Sequence, residues 1–241
     1  FTRVVERTGL KVDDVVLGPL ACAEGLLTRR QKELGVAMLN MGASTLSLMV
    51  FQEGDLVHVR VFPVGAGHVT SDIAIGLRIP LDAAEQIKIQ YGVASADQVP
   101  RKEEISLQDI SSEEGTFSRK YVAEIIEARL EELCSLVEAD LKKLGLAGLL
   151  PFGIILTGGG AKMHGLMEVV KRELHLPASL GLPNAMTSAI DRINDPVFST
   201  ALGLLVWARA LQGQGARHAS HNKGMQWIGD SVKHFMKSFM P

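Results

Sequence analysis

Residues 40–45, Asn40-Met41-Gly42-Ala43-Ser44-Thr45, place a glycine and two hydroxyls in a tight turn between two apolar runs. Glycine at such a turn lets backbone N–H groups face an anion, and the Ser44 and Thr45 hydroxyls can donate to phosphate oxygens. A polar hairpin turn with no ligand has the same composition. A second candidate is Thr157-Gly158-Gly159-Gly160-Ala161, after the apolar run Ile154-Ile155-Leu156 and before a helical pattern. Consecutive glycines at that junction permit close approach to a flat ligand such as a nucleotide, and a helix N-terminus favours negative charge. The segment has neither the lysine of a P-loop nor the spacing of a dinucleotide fingerprint, so it implies neither. The third candidate is Glu85 with Lys88, three apart on a helix. A solvated ion pair is the ordinary reading, although a carboxylate there can also accept from ribose hydroxyls while the lysine stem packs on a base.

The elements that must position these groups follow from periodicity. From residue 34 the pattern reads as strands, GVAMLNMG, STLSLMVFQEG and DLVHVRVFPVG, with Val57, Val59 and Val61 alternating and Glu53-Gly54-Asp55 as a turn. This predicts a three-strand antiparallel meander. Helices are predicted over 69–76 and 81–91, the second led by Pro80. Residues 92–119 are less periodic and include EEISLQDI, which suits one or two strands with loops. A long helix is predicted over 119–144, with Val122, Ile125, Ile126, Leu130, Leu133, Leu136, Val137 and Leu141 facing inward and Gly145 ending it. FGIILTGGGAKMHG reads as buried strand, glycine loop and helix start, and 197–211 as the last helix of the body.

The final 17 residues form an amphipathic pattern. Met225, Ile228, Val232, Phe235, Met236 and Phe239 share one stripe, while Lys233, His234 and Lys237 fall elsewhere on the wheel. Trp227 suits the headgroup region of a bilayer, and the lysines attract anionic lipids. Arg217, Lys223, Lys233 and Lys237 against Asp230 give this end a charge of +3 in a chain whose total is -2. Residues 212–224, QGQGARHASHNKG, contain no large apolar residue and read as a flexible linker. A helix that caps the core, or one that enters a groove on a partner protein, would show the same stripe.

Composition bounds the rest. A chain of 241 residues, 46% hydrophobic and 22% charged, can bury a sizeable core. No apolar run reaches the ~18 residues of a spanning helix. Cys22 and Cys134 are too few and too distant for a metal or disulfide framework and are expected as buried apolar residues. The near-neutral charge gives no footprint for nucleic acid. Phe1 opens on what reads as the middle of a helix, and the chain is expected to be a piece of a longer protein.

The order of these parts resembles the second half of the actin, Hsp70 and sugar-kinase superfamily, and the wording is most similar to the FtsA family of bacterial cell-division proteins. The resemblance runs through GVAMLNMGASTLSLMVFQEG, VFPVGAGHVTSDIAIGLRIPLDAAEQIKIQYG, EIIEARLEEL, GIILTGGGAKMHG and the terminal stripe, and covers nearly the whole chain. It implies an α/β, actin-like (ribonuclease H-like) second lobe of two subdomains plus a C-terminal amphipathic helix. Residues 1–33 would end the first lobe and cross into the second; 34–78 and 152–211 would form the larger subdomain and 79–151 the smaller. Residues 212–224 would be the linker and 225–241 the membrane-targeting helix, with Trp227, Ile228, Val232, Lys233, Phe235, Met236, Lys237 and Phe239 at the bilayer.

Carried over by motif, Gly42, Ala43, Ser44 and Thr45 would face the phosphates of ATP, Glu85 and Lys88 the ribose and adenine, and Gly158, Gly159, Gly160 and Met163 the adenosine. Arg129 would contact the C-terminal tail of FtsZ, the filament such proteins hold to the inner face of the plasma membrane at the division site. Its own alternative is an ion pair with Glu132 or Glu127. Self-association and other division proteins as partners are implied as well. One departure bears on chemistry: the family's phosphate turn usually begins with Asp and carries another after its Thr pair, where this chain has Asn40 and Leu46-Ser47, and Ala43 replaces a usual glycine. A neutral amide brings no charge to Mg2+, so weak or absent ATP hydrolysis is expected. The competing readings are an actin-fold ATPase or phosphotransferase, and a pilus or shape-determining actin homologue; fold alone does not separate them.

Overall fold

The structure, a computed structural model, describes residues 1–110, 115–182 and 195–215. The chain divides into a unit spanning Phe1–Val206 and a second, Trp207–Pro241. Strand β1 (Val36–Met41), β2 (Leu46–Gln52) and β3 (Asp55–Phe62) form the expected antiparallel meander. Glu53 and Gly54 both take positive φ, 54° and 89°. That pair of left-handed residues is what a two-residue hairpin turn with the twist of its strands requires. β6 (Ile154–Thr157) adds parallel to β1 and β7 (Ala178–Leu180) parallel to β6, giving the order β3-β2-β1-β6-β7. A separate two-stranded sheet pairs β4 (Glu104–Ser106) with β5 (Thr116–Ser118).

β1 and β2 are buried on both faces, as their near-continuous apolar runs require. On one face Ala37, Leu39, Leu48 and Val50 join a core shared with α4 (Ala66–Leu77), α5 (Leu81–Tyr91), α6 (Arg119–Lys143) and α7 (Leu166–Leu174). Ile105 and Leu107 beside the small sheet belong to the same core. On the other face Val36, Met38 and Met49 are buried, and α2 (Gly18–Leu26) and α3 (Arg29–Leu34) lie against β2. α2 and α3 were not anticipated from periodicity. One signal for α3 was present in Thr28-Arg29-Arg30-Gln31: the Thr28 hydroxyl accepts from the Gln31 N–H while Gln31 Oε1 accepts from the Thr28 N–H, a reciprocal cap. α1 (Thr2–Glu6) is an exposed short helix.

α6 shows where a periodic pattern misplaces a residue. Its N-terminus is capped by Ser118, and Lys142 and Lys143 sit in its last turn, where cations suit the helix dipole. Leu136, expected inward, is 37% exposed, and Asp140 is buried at 2%. The carboxylate is admitted because Arg60 (2.6 Å) and His58 (3.4 Å) of β3 and Lys143 (3.2 Å) surround it. Burial alone would raise the Asp140 carboxyl. The bonds from Lys143 and His58 and the charge of Arg60 outweigh that and hold it below the usual carboxylate range.

The last helix begins later than expected. Residues 196–198 form a 3-10 turn capped by Asp195, whose Oδ1 accepts from the Val197 N–H (3.0 Å), and α8 (Ser199–Gly215) follows. Helix therefore covers the first four residues of the segment read as linker. Among the described residues no helix is long and apolar enough to cross a membrane. The amphipathic stretch 225–241, with Trp227, Ile228, Val232, Lys233, Phe235, Met236, Lys237 and Phe239, lies outside the described residues.

Candidate functional site

Asn40 and Thr157 are register partners on the parallel strands β1 and β6, so the turn 42–45 and the loop 158–160 leave the same edge of the sheet side by side. The crevice beyond the carboxyl ends of parallel strands is where open α/β sheets take ligands. The first turn is closed by Gly42 N–H donating to the Thr45 carbonyl at 2.9 Å. It is then pinned from the start of α4: Ala66 N–H donates to the Gly42 carbonyl (2.9 Å) and Gly67 N–H to the Ala43 carbonyl (2.7 Å). A Cβ on Gly65 would lie 2.5 Å from the Gly42 oxygen, so that approach needs a residue without a side chain. Residues 65–67 are thus part of the turn's architecture and were missed in the sequence; Gly-Ala-Gly at the start of a helix was the signal. Ala43, Ser44 and Thr45 are exposed, and the two hydroxyls make no side-chain hydrogen bond within the described residues.

The three consecutive glycines have three different surroundings. Gly158 has φ +85° and ψ 172°, a conformation essentially restricted to glycine, and a Cβ there would meet Asn40 Oδ1 at 2.4 Å and the Met41 carbonyl at 2.5 Å. Gly160 would meet the Met41 side chain at 2.5 Å. At Gly159 the nearest atom is Val197 Cγ2 at 3.7 Å, so only this glycine opens outward. The loop does not run straight into an α-helix: a 3-10 turn over Gly159–Lys162 intervenes, and α7 starts at Leu166. The expected help from an α-helix N-terminus at the glycines is therefore absent. Met163, at the end of that turn, is packed against the main core.

Glu85 and Lys88 are drawn to the first turn through α4. Lys88 Nζ donates to Glu85 Oε2 (2.7 Å), Thr70 Oγ1 (2.8 Å) and the carbonyl of Ala66 (3.2 Å), the residue whose N–H holds Gly42. The Thr70 hydroxyl donates to Glu85. Burial pushes the Glu85 carboxyl up, and the bonds from Lys88 and Thr70 more than reverse this, leaving it ionised and below its ordinary range. Lys88 has only a tenth of its side chain exposed while Glu85 has 44%. The carboxylate is the member of the pair presented to a ligand, and the lysine fixes it.

Asn40 points away from the turn. Its Nδ2 donates to Thr200 Oγ1 at 3.2 Å and approaches Cys22 Sγ at 3.7 Å. Cys22 and Cys134 are both buried, and burial pushes their thiols up to about 11 and about 12, so neither is a nucleophile at neutral pH. Residues 40–45 hold no carboxylate, and the nearby Glu85 is engaged by Lys88. Among the described residues the donor set therefore fits a nucleotide through hydroxyls and backbone, and the turn 40–45 offers Mg2+ no direct anionic ligand.

Arg129 is not a free surface arginine. Its guanidinium grips Asp72 of α4 through Nε (2.5 Å) and Nη2 (2.8 Å) and reaches Glu132 through Nη1 (2.5 Å). The fork to Asp72 is the main reason its pKa lies above the ordinary arginine value. Of the two acidic neighbours considered from sequence, Glu132 is paired with it; Glu127 is bound by Arg172 (2.9 Å) and the Ala96 N–H (2.8 Å). Two turns earlier on α6 a surface recess of about 370 Å³ is lined by Arg101, Ser118, Lys120, Tyr121 and Glu124.

Residues 37–203 match the family "Cell division protein FtsA". Cell division protein FtsA of Neisseria meningitidis is 40% identical over 213 residues, and that of Pseudomonas aeruginosa 39% over 214; each alignment takes in 88% of this chain and 51% of the relative. The chain thus spans about half the length of the curated relatives it matches. Among solved structures, MreB5 of Spiroplasma citri bound to ADP superposes with a TM-score of 0.70 at 20% identity, over 88% of this chain and 64% of that one. A PilM–PilN type IV pilus biogenesis complex gives 0.65 at 21%, over 84% and 55%. The fold is α/β and actin-like. The chain belongs to the FtsA family of cell-division proteins.

Proposed function

We propose that this chain is the second lobe of a membrane-tethering division scaffold. It binds ATP between its glycine turns and a first lobe, and anchors FtsZ filaments to the cytoplasmic face of the bacterial plasma membrane at the division site. The observation that carries the nucleotide part is the convergence of exposed Ser44 and Thr45, outward-facing Gly159 and ionised Glu85 around the carboxyl ends of β1 and β6. A solved structural neighbour, MreB5, is bound to ADP, which supports the same reading. Gly42, Ala43, Ser44 and Thr45 take the phosphates, Glu85 and Lys88 the sugar and base, and Gly158, Gly159, Gly160 and Met163 the adenosine. Residues 34–78 with 152–211 form the larger subdomain of this lobe and 79–151 the smaller, and closure of the cleft between the two lobes around the ligand biases assembly.

Turnover is slow or absent, because Asn40 is engaged with Thr200 and residues 40–45 bring no carboxylate to the metal. The partner end lies on α6. The FtsZ tail occupies the recess beside Tyr121 and Lys120 and competes with Asp72 and Glu132 for Arg129, which lies two turns beyond Tyr121 along the same stripe of the helix. Residues 225–241 lie on anionic lipid through Trp227, Ile228, Val232, Phe235, Met236 and Phe239, with Lys233 and Lys237 at the headgroups; self-association and other division proteins complete the assembly. Titrating full-length protein with MgATP, with and without Glu85→Gln, tests the site. Saturable binding that weakens several-fold in Glu85→Gln while phosphate release stays near background agrees with the reading. Absence of binding, or rapid metal-dependent hydrolysis, contradicts it.

A further inference from the structure

Two buried hydroxyls are left unexplained by the site as drawn. Thr157 and Ser199 are 0% and 1% exposed, and their oxygens are hydrogen-bonded to each other at 2.7 Å. Beside them runs the bond from Asn40 Nδ2 to Thr200 Oγ1. Asn40 and Thr157 are register partners on adjacent strands, and Ser199 and Thr200 are consecutive at the start of α8. Each strand end therefore hands one polar side chain to one of two neighbouring residues. Immediately beyond, β1 enters the turn 42–45 and β6 enters the loop 158–160. A third tie joins the same places: Gly158 N–H donates to the Pro196 carbonyl at 3.2 Å, and Asp195 is held to Lys162 at 2.7 Å.

We infer that Ser199 and Thr200 are positioning residues that set the spacing of the two glycine turns and so the fit of the nucleotide between them. This rests on the nucleotide reading above. The physical reason is that turns built on small residues do not fix their own geometry, so their relative position has to be imposed by an ordered neighbour. Buried side-chain hydrogen bonds suit that task, because in a low-dielectric interior they are strong only at good geometry and are costly to leave unmade. In this arrangement Asn40 is the donor, its Nδ2 donating to Thr200 Oγ1 and approaching Cys22 Sγ, a role an ionised carboxylate could not take.

The test uses the full-length protein with Thr200→Val, Thr200→Ser and Ser199→Ala, and Val137→Ala as a destabilised control in the α6 core. Amide hydrogen exchange of 42–45 and 158–162 is followed without nucleotide, and MgATP affinity is measured alongside Tm. Thr200→Val is expected to speed exchange in both turns together and to weaken MgATP about tenfold, an effect of roughly 1.4 kcal/mol. Thr200→Ser keeps the hydroxyl and restores both readouts. Val137→Ala lowers Tm and leaves affinity unchanged. If exchange rises only at the substituted side, or if affinity follows Tm across all four variants, the clip is wrong. If wild-type protein binds no MgATP while Thr200→Val still loosens both turns, the positioning stands and the nucleotide reading falls.

Discussion

Alanine at each member of the triple glycine should have a different consequence, although the sequence presents the three as equivalents. At Gly158 a Cβ would sit 2.4 Å from Asn40 Oδ1 and 2.5 Å from the Met41 carbonyl, at φ +85° and ψ 172°. Backbone strain in that region costs about 1–3 kcal/mol, and forcing a methyl into packed backbone costs a further ~1–3 kcal/mol. The total of roughly 2–6 kcal/mol corresponds to a fall in Tm of about 4–24 °C for a chain of this size. At Gly160 the obstacle is the Met41 side chain, with Cγ and Sδ at 2.5 and 2.6 Å. A flexible thioether can yield, so the loss should be nearer about 1–2 kcal/mol. At Gly159 nothing among the described residues approaches closer than 3.7 Å. Alanine there restricts the unfolded chain and should stabilise by up to about 0.5 kcal/mol. Thermal denaturation of the three variants without nucleotide, followed by MgATP titration, separates the roles. Gly159→Ala should keep its Tm and lose at least tenfold in affinity if the nucleotide lies over that residue. Equal destabilisation by Gly158→Ala and Gly159→Ala would refute the geometric reasoning.

Asp140→Asn should cost about 1–3 kcal/mol at neutral pH, because the buried carboxylate loses its charge while Arg60 and Lys143 can partly rehydrate. The folded-state pKa of Asp140 is lowered, so its contribution is present above the ordinary carboxylate pKa and is lost as pH falls through the depressed value. Urea unfolding of wild type and variant should therefore differ at pH 7, with the difference shrinking as pH falls below the ordinary carboxylate pKa; a constant difference across that range would contradict the assignment. Arg129→Ala should lower stability by about 1–2 kcal/mol through loss of the Asp72 fork and also abolish binding of an FtsZ tail peptide. Asp72→Asn loosens the same clamp but keeps the guanidinium, so it should hold or raise peptide affinity. Loss of binding in Asp72→Asn equal to that in Arg129→Ala would make the arginine structural alone.

The meander and α5 were legible because their periods are short and uninterrupted: 36–62 alternates or stays apolar, and Leu81–Tyr91 carries one face between Pro80 and Gly92. α6 was legible in extent but not in every inward position. Asp140 is buried by partners on β3, eighty residues away, and a single-helix period has no knowledge of Arg60 or His58. The same limit applies at the site. Which strands lie side by side, and hence that 42–45 and 158–160 are neighbours, depends on the β1–β6 pairing, which no local pattern encodes. Residues 65–67 were passed over because their role is to approach another turn's carbonyls. The Arg129–Asp72 pair was not legible because Asp72 belongs to a different helix, beyond the reach of i, i+3 and i, i+4 reasoning.

The tethering role is tested most directly by sedimentation with vesicles of anionic lipid, using FtsZ and full-length protein that contains residues 1–241 of this chain. The comparisons are a version stopped after Gly224 and one carrying Phe235→Glu and Phe239→Glu. The account expects FtsZ to pellet with vesicles only when the intact chain is present, with both tail variants leaving FtsZ in solution and binding that weakens as salt rises. FtsZ recovered with vesicles to the same extent in all three, or in none, would contradict it.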